Sequence, residues 1–153
     1  MKKTIVTALM LSPLAAEAGS YCELDDSVMF SCTFKGGAKT VEVCDAIWLD
    51  GDMAAYGFVG SDGTVEKEII TDKASIAFTP WNGMGAETEA VSFYGGEDYT
   101  YEVWWAEGLH SADGGIIVAK GAEVIATLSC DPGSVRSNLF GLIAMIEDAT
   151  VSP

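Results

Sequence analysis

The chain has 153 residues, of which 49% are hydrophobic and 20% are charged, and its formal net charge at pH 7 is −15. This composition is typical of a folded domain and excludes disordered and collagen-like chains. The acidic excess also excludes a nucleic-acid-binding protein, because that kind of binding depends on neutralising phosphates. It favours a cationic protein as a partner, with association that slows as salt is added.

The first eighteen residues have the features of a signal peptide. Two lysines, Lys2 and Lys3, precede an apolar run over residues 4–15 that is too short to cross a membrane. The small residues Ala16 and Ala18 predict cleavage between Ala18 and Gly19. We therefore expect a leader over 1–18 and a single domain over 19–153, periplasmic or secreted, without stable membrane insertion.

The four cysteines form an even set, which in an exported chain favours two disulfides. No C-x2-C spacing is present to indicate zinc or a redox pair. The stretch "SCTFKGGAKTVEVC" predicts a β-hairpin that turns at Gly-Gly. Of the three possible pairings we favour Cys32–Cys44 with Cys22–Cys130. A tight turn would place Cys32 opposite Val41, so the first pair requires a bulge or a longer loop.

Strand-like segments recur along the chain with turn residues between them and without helical periodicity. They predict an all-β fold, an antiparallel barrel or sandwich of about eight or nine short strands. The sequence leaves the choice between barrel and sandwich open. The segments lie at residues 28–34, 40–44, 53–59, 64–70, 74–79, 89–94, 99–106, 115–120 and 123–130.

The end of the chain predicts one amphipathic helix, over about residues 132–148. Asp131 is the expected N-cap, and Pro132 would occupy the first helical position. We expect the helix to cover an open end of the β-structure; the alternative is a helix for a partner or a membrane surface. Its apolar face comprises Val135, Leu139, Leu142, Ile143 and Ile146.

Two tryptophans are candidate binding residues. In "YTYEVWWA" alternation puts Tyr99, Val103 and Trp105 on a core face and leaves Trp104 among polar neighbours on the other face. Trp81 lies in the loop "PWNGMG". An exposed tryptophan is a good binding anchor. The alternative is that a loop or the helix covers Trp104 and that Trp81 plugs the end of the fold.

We identify no catalytic residue, no metal ligand and no cofactor site in the sequence. The only histidine, His110, lies in a Gly- and Asp-rich loop, where we expect it to be solvated, and the G-x-S-x-G elbow of serine hydrolases is absent. The acidic turns "DGD", "DG" and "DGG" lack the calcium-loop pattern. A glycosidase-like pair of carboxylates cannot be recognised from spacing in a β fold.

The segments "FSCTFKGGAKTVEVC", "FYGGEDYTYEVWW" and "VAKGAEVIATLSC" resemble a group of small uncharacterised exported β proteins of Gram-negative bacteria. More distantly, the chain is similar to the periplasmic and membrane-bound inhibitors of chicken-type lysozyme. Those are β-barrels with an end-to-end disulfide and a Ser-Gly-x-x-Tyr loop that enters the lysozyme cleft. Here residues 94–99 correspond to that loop. A glycine and Tyr99 match, the serine has no counterpart, and the likeness adds Glu97, Asp98 and Tyr99 as candidate binding residues.

Together these features predict a non-catalytic exported β-domain that binds a partner through its loops. One alternative is a lysozyme-inhibitor-like protein that binds a very basic lysozyme. Another is a carrier whose barrel encloses a small apolar ligand.

Overall fold

The computed structural model describes residues 21–151. The predicted leader and its cleavage site lie outside these residues. The described part contains ten strands and one α-helix, α1, over Leu139–Val151. The strands are β1 Val28–Phe34, β2 Lys39–Asp45, β3 Met53–Gly60, β4 Val65–Asp72, β5 Ala77–Thr79, β6 Thr88–Tyr94, β7 Tyr99–Ala106, β8 Asp113–Lys120, β9 Glu123–Ser129 and β10 Arg136–Ser137.

The ten strands form two antiparallel sheets. Sheet A has the order β10-β1-β2-β3-β4 and sheet B has the order β5-β6-β7-β8-β9. Side chains from both sheets meet in one core, where the ring of Tyr56 lies 5.8 Å from that of Phe93 and 5.5 Å from that of Tyr101. The all-β prediction is confirmed, and the arrangement is a sandwich.

Alternation along the strands decides which residues enter this core. On β1 the buried residues Phe30, Cys32 and Phe34 alternate with partly exposed ones. On β7 the predicted core face is confirmed, since Val103 is fully buried and Trp105 packs against the same cluster. The period-2 pattern of the sequence therefore reports the inward face correctly.

Both disulfides differ from the pairing that we expected. Cys22 bonds Cys44 and Cys32 bonds Cys130, each with a Cα–Cα distance of 5.7 Å. Cys32 lies opposite Val41, as the tight hairpin requires, so Cys44 points to the other face of sheet A. The predicted disulfides, Cys32–Cys44 and Cys22–Cys130, are therefore wrong. The Cys32–Cys130 bond crosses the core and joins the two sheets.

The Cys22–Cys44 bond fixes the start of the described chain on the outer face of sheet A. The ring of Tyr21 lies directly over Gly57, and its hydroxyl donates to Glu68 at 2.6 Å. The Tyr21 N–H donates to the carboxylate of Glu42. This segment shields the part of the outer face of sheet A that carries Cys44 and Ala55.

The C-terminal helix begins later than predicted. Asp131 does not cap it. Its carboxylate instead accepts the N–H groups of Gly36 and Gly37, at 3.0 and 2.9 Å, in the β1–β2 turn. The helix begins at Leu139 with Asn138 as its cap, whose Oδ1 accepts the Gly141 N–H at 3.2 Å.

The helix covers one end of the sandwich, as expected. Four members of its predicted apolar face are buried in the shared core: Leu139, Leu142, Ile143 and Ile146. Within residues 21–151 no helix combines the length and the apolar character needed to span a membrane.

The two disulfides are expected to contribute unequally to stability. Cys32–Cys130 closes a separation of 98 residues and Cys22–Cys44 one of 22. Restricting the unfolded chain should be worth about 5 kcal/mol for the longer loop and about 3 kcal/mol for the shorter one. Urea unfolding of C32A/C130A and C22A/C44A should show the larger loss in the first variant. Equal stability of both variants and the parent would contradict this loop-entropy argument.

Candidate functional site

A buried carboxylate, Glu89, lies where β6 meets the helix. Glu89 occupies the inward phase of its strand, together with Val91 and Phe93, and is only 5% exposed. Its carboxylate accepts the backbone N–H of Phe140 in the first turn of α1. The N-terminal end of a helix stabilises a negative charge, so this contact offsets part of the cost of burying the acid.

The pKa of Glu89 is raised above its ordinary value. The largest cause is burial, which disfavours the ionised form, followed by repulsion from the nearby Glu87 carboxylate and the hydrogen bond between the two side chains. The Phe140 N–H acts in the opposite direction and lowers the pKa. The single N–H of Phe140 therefore does not fully offset the cost of burying the ionised Glu89 carboxylate. A bound cation would stabilise that ionised form.

Glu89 forms one wall of a small surface pocket of about 150 Å³, called here the Trp81 pocket. Two aromatic rings border it. Trp81 is partly exposed and donates its indole N–H to the carbonyl of Met84 at 3.3 Å, and Phe140 is 70% exposed. The complete lining is Pro80, Trp81, Glu89, Phe140, Ile143, Ala144 and Glu147.

Glu89 also borders a second pocket of about 140 Å³, the Trp104 pocket, whose walls are all strand residues of sheet B. The Trp104 ring lies against Gly115, where a Cβ atom would approach its Nε1 to 2.8 Å. That Nε1 is buried and makes no hydrogen bond. The remaining lining residues are Thr79, Thr88, Ala90, Trp105 and Ala106.

The Trp81 pocket combines two aromatic rings with the carboxylates of Glu89 and Glu147, whereas Trp104 lies on the opposite face of sheet B from Glu89. Neither lining includes a lysine or an arginine. The negative face of an aromatic ring attracts a cation, by about 0.5–2 kcal/mol according to how far the pair is desolvated. A carboxylate at the same place adds a charge-assisted hydrogen bond. The arrangement is therefore suited to an ammonium or guanidinium group.

The structure divides the five predicted site residues between two places. Trp81 and Trp104 border the pockets that share Glu89. Tyr99 lies at the opposite end of β7 from Trp104, beside the β6–β7 turn that contains Glu97 and Asp98. The two groups therefore cannot form one site.

The β6–β7 turn has an unusual backbone. Gly96, Glu97 and Asp98 all have positive φ, at 86°, 51° and 70°. The Asp98 carbonyl accepts the Gly121 N–H at 2.9 Å, which fixes this turn to the β8–β9 turn. Lys120 lies 5.2 Å from the centre of the Tyr99 ring. Left-handed residues other than glycine are strained, and such strain is concentrated at functional sites.

A larger cleft of about 410 Å³ lies between the end of β4 and the end of α1, and three aspartates, Asp52, Asp72 and Asp148, line it. It has no aromatic wall, and Asp52 is already paired with Lys73 at 2.7 Å. Among residues 21–151 no three acidic, histidine or cysteine side chains are grouped to hold a metal ion. His110 is exposed in its loop.

Sequence reasoning missed Glu89 and Phe140. A signal for Glu89 was present, because it shares the inward phase of "ETEAVSFY" with Val91 and Phe93. A charged residue in that phase predicts a buried acid. No pattern in the sequence places Phe140 at the same pocket as Trp81, because that placement depends on how α1 docks on β6.

Comparison of the chain with protein-family models, with curated proteins and with solved structures found no match.

Replacing Glu89 by Gln should stabilise the fold at neutral pH. The raised pKa means that ionisation of Glu89 costs stability as the pH rises from about 4 through the folded-state pKa, and below that range the cost is absent. Glu89→Gln should therefore melt above the parent at pH 7 and level with it near pH 4. Glu23→Gln, at an exposed site, is the matched control and should show no such gain. A lower melting point at pH 7 for Glu89→Gln would contradict the assignment.

Proposed function

We propose that this chain is an exported, non-catalytic binding domain that holds a lysine or arginine side chain of a partner protein in the Trp81 pocket. The observation that carries the proposal is the buried Glu89 carboxylate beside the Trp81 and Phe140 rings. Burial there costs stability, and perturbed buried carboxylates beside a pocket are concentrated at functional sites.

The size of the pocket argues for a side chain and against a free small molecule. Ligand sites for whole small molecules usually measure about 300–1,000 Å³. The Trp81 pocket, at about 150 Å³, is well below that range. The charged end of one long side chain fits that space, and the surface around the pocket is left to contact the rest of a partner.

The charge of the whole chain supports a cationic partner. With a formal net charge of −15, the protein attracts basic proteins over distances set by the Debye length, about 8–10 Å at physiological salt. The negative charge attracts basic proteins in general, and the Trp81 pocket then binds those that present a suitable lysine or arginine side chain. Association should be fast and should weaken as salt is added.

Export is supported by the cysteine chemistry together with the leader pattern. All four cysteines are paired in disulfides, and disulfides persist in the periplasm and outside the cell. The packed core between the sheets, which includes Phe30, Tyr56 and Phe93, gives no support to the apolar-ligand carrier.

The protein should bind a lysine side chain that is presented alone. Nα-acetyl-lysine amide should shift the indole N–H signal of Trp81 in NMR titrations, with a Kd on the order of millimolar. Nα-acetyl-norleucine amide, which lacks the ammonium group, should not. Glu89→Gln should weaken binding by about tenfold or more, because it removes the charge from the hydrogen bond.

Glu23→Gln makes the same charge change at an exposed site on the sheet A side, and it should bind as the parent does. Equal binding of the lysine and norleucine probes would refute the pocket assignment. So would unchanged lysine affinity in a folded Glu89→Gln variant.

The strained β6–β7 turn favours a second candidate, a lysozyme-inhibitor-like activity. The left-handed Glu97 and Asp98 form an acidic tip next to Tyr94, which is 60% exposed. An acidic projecting turn suits the cleft of a very basic enzyme. The resemblance of residues 94–99 to the inhibitory loop points to the same partner.

If this second candidate holds, a molar excess of the protein should slow cell-wall lysis by chicken-type lysozyme, less so at high salt. Glu97→Gln with Asp98→Asn should then lose inhibition by about tenfold or more. Full lysis in the presence of excess protein would eliminate the candidate and would leave the Trp81 pocket unaffected.

A further inference from the structure

The two sheets have four edges, and three of them carry features that prevent pairing with another strand. β5 has three residues and β10 has two. β4 has eight residues but carries the charged side chains of Glu66, Lys67, Glu68 and Asp72. Short length and charge are the usual means by which a sheet edge is protected.

The fourth edge, β9, lacks this protection. It has seven residues, "EVIATLS", with a single charge at its first position. Val124 is 59% exposed and Ile125 is 50% exposed. A β-bulge, which twists an edge away from other strands, occurs in β9 at Ile125, where the pairing with β8 shifts register. This bulge affects only one end of β9.

The free side of β9 offers backbone groups for pairing. The Cys130 N–H donates to the Gly114 carbonyl at 2.9 Å, toward β8. Successive residues of a strand alternate in direction, so the N–H and C=O groups of Ser129 and Thr127 point away from β8. They are the groups that another strand would bond.

Charge identifies which strand can approach this edge. The β8–β9 hairpin, Asp113–Ser129, contains Lys120 against Asp113 and Glu123, so it contributes a net charge of only −1 to a chain whose formal net charge is −15. A cationic partner is drawn to the acidic surfaces and not to this hairpin. A second copy of the chain is repelled by those same surfaces, and this weakly charged hairpin is the sheet edge where it can approach at least cost.

We propose that two copies of this protein associate through antiparallel pairing of their β9 strands, which joins the two B sheets into one ten-stranded sheet. Identical strands paired in this way are related by a two-fold axis, so both copies use the same surface. This inference goes beyond the proposed binding function and does not depend on it.

The expected dimer is weak and strengthens with salt. Seven residues per copy give a contact about 23 Å long, at the small end of the interface range, so dissociation constants of tens to hundreds of micromolar are expected. Salt screens the repulsion between the two acidic copies. Added salt should therefore favour the dimer, whereas it weakens binding of a cationic partner.

Sedimentation equilibrium of the oxidised protein, up to about 1 mM and at low and high salt, tests the proposal. The average mass of the parent should rise toward twice the monomer mass, and more so at high salt. Val124→Lys places a charge on the edge and should remain monomeric, although it reduces the net negative charge. Val65→Lys makes the same change at an exposed position on β4 and should associate as the parent does.

Thr127→Pro provides a second disruption, because it removes an N–H that points away from β8 and should leave the fold intact. A parent that stays monomeric at both salt concentrations would overturn the proposal, and so would undiminished association of Val124→Lys. If the parent stays monomeric while an added basic peptide of strand-forming sequence shifts its β9 amide signals, the proposal is overturned and β9 is a binding edge for a strand of another protein. Lysine-probe binding is measured separately and should be equal in parent and Val124→Lys.

Discussion

The bond between Cys32 and Cys130 is the constraint on which the rest of the structure depends. It joins the first strand of sheet A to the end of β9 in sheet B, across a sequence separation of 98 residues. It also places Asp131, the next residue, against the β1–β2 turn, where its carboxylate bonds two backbone N–H groups. From there the chain returns along β1 as β10, with Arg136 beside Ser31, before α1 crosses the end of the sandwich. The position of the Phe140 backbone N–H beside Glu89 follows from this route.

Much of the fold could be predicted from local patterns, because alternation and turn residues act within a few positions of each other. β1 and β7 have the predicted bounds, and the predicted register of Cys32 opposite Val41 is confirmed. That register already excluded the Cys32–Cys44 pair, since it puts the two sulfurs on opposite faces of the sheet. Nearness in sequence is therefore a weaker guide to disulfide pairing in a sheet than the side-chain period of two.

The parts that could not be predicted depend on distant contacts. Asp131 next to Pro132 has the local signature of a helix start. Its carboxylate instead accepts backbone N–H groups of glycines about 95 residues earlier in the chain. The candidate site is similar. Trp81 and Trp104 stand out as aromatics in polar surroundings, whereas their shared neighbour Glu89 becomes significant only when α1 is placed beside β6. Local sequence indicates which residues are unusual, and the docking of elements decides which of them meet.

The close contact between Tyr21 and Gly57 has a consequence for how freely this sequence can vary. A Cβ atom at position 57 would overlap the Tyr21 ring, so any other amino acid there would displace the aromatic side chain from the sheet. Cys22 follows Tyr21 in the chain and bonds Cys44. Displacing the Tyr21 ring would therefore disturb the backbone next to this disulfide. Variation at position 57, which has no side chain of its own, would thus be restrained by a cross-link to the neighbouring strand, through a tyrosine to which Gly57 is not bonded.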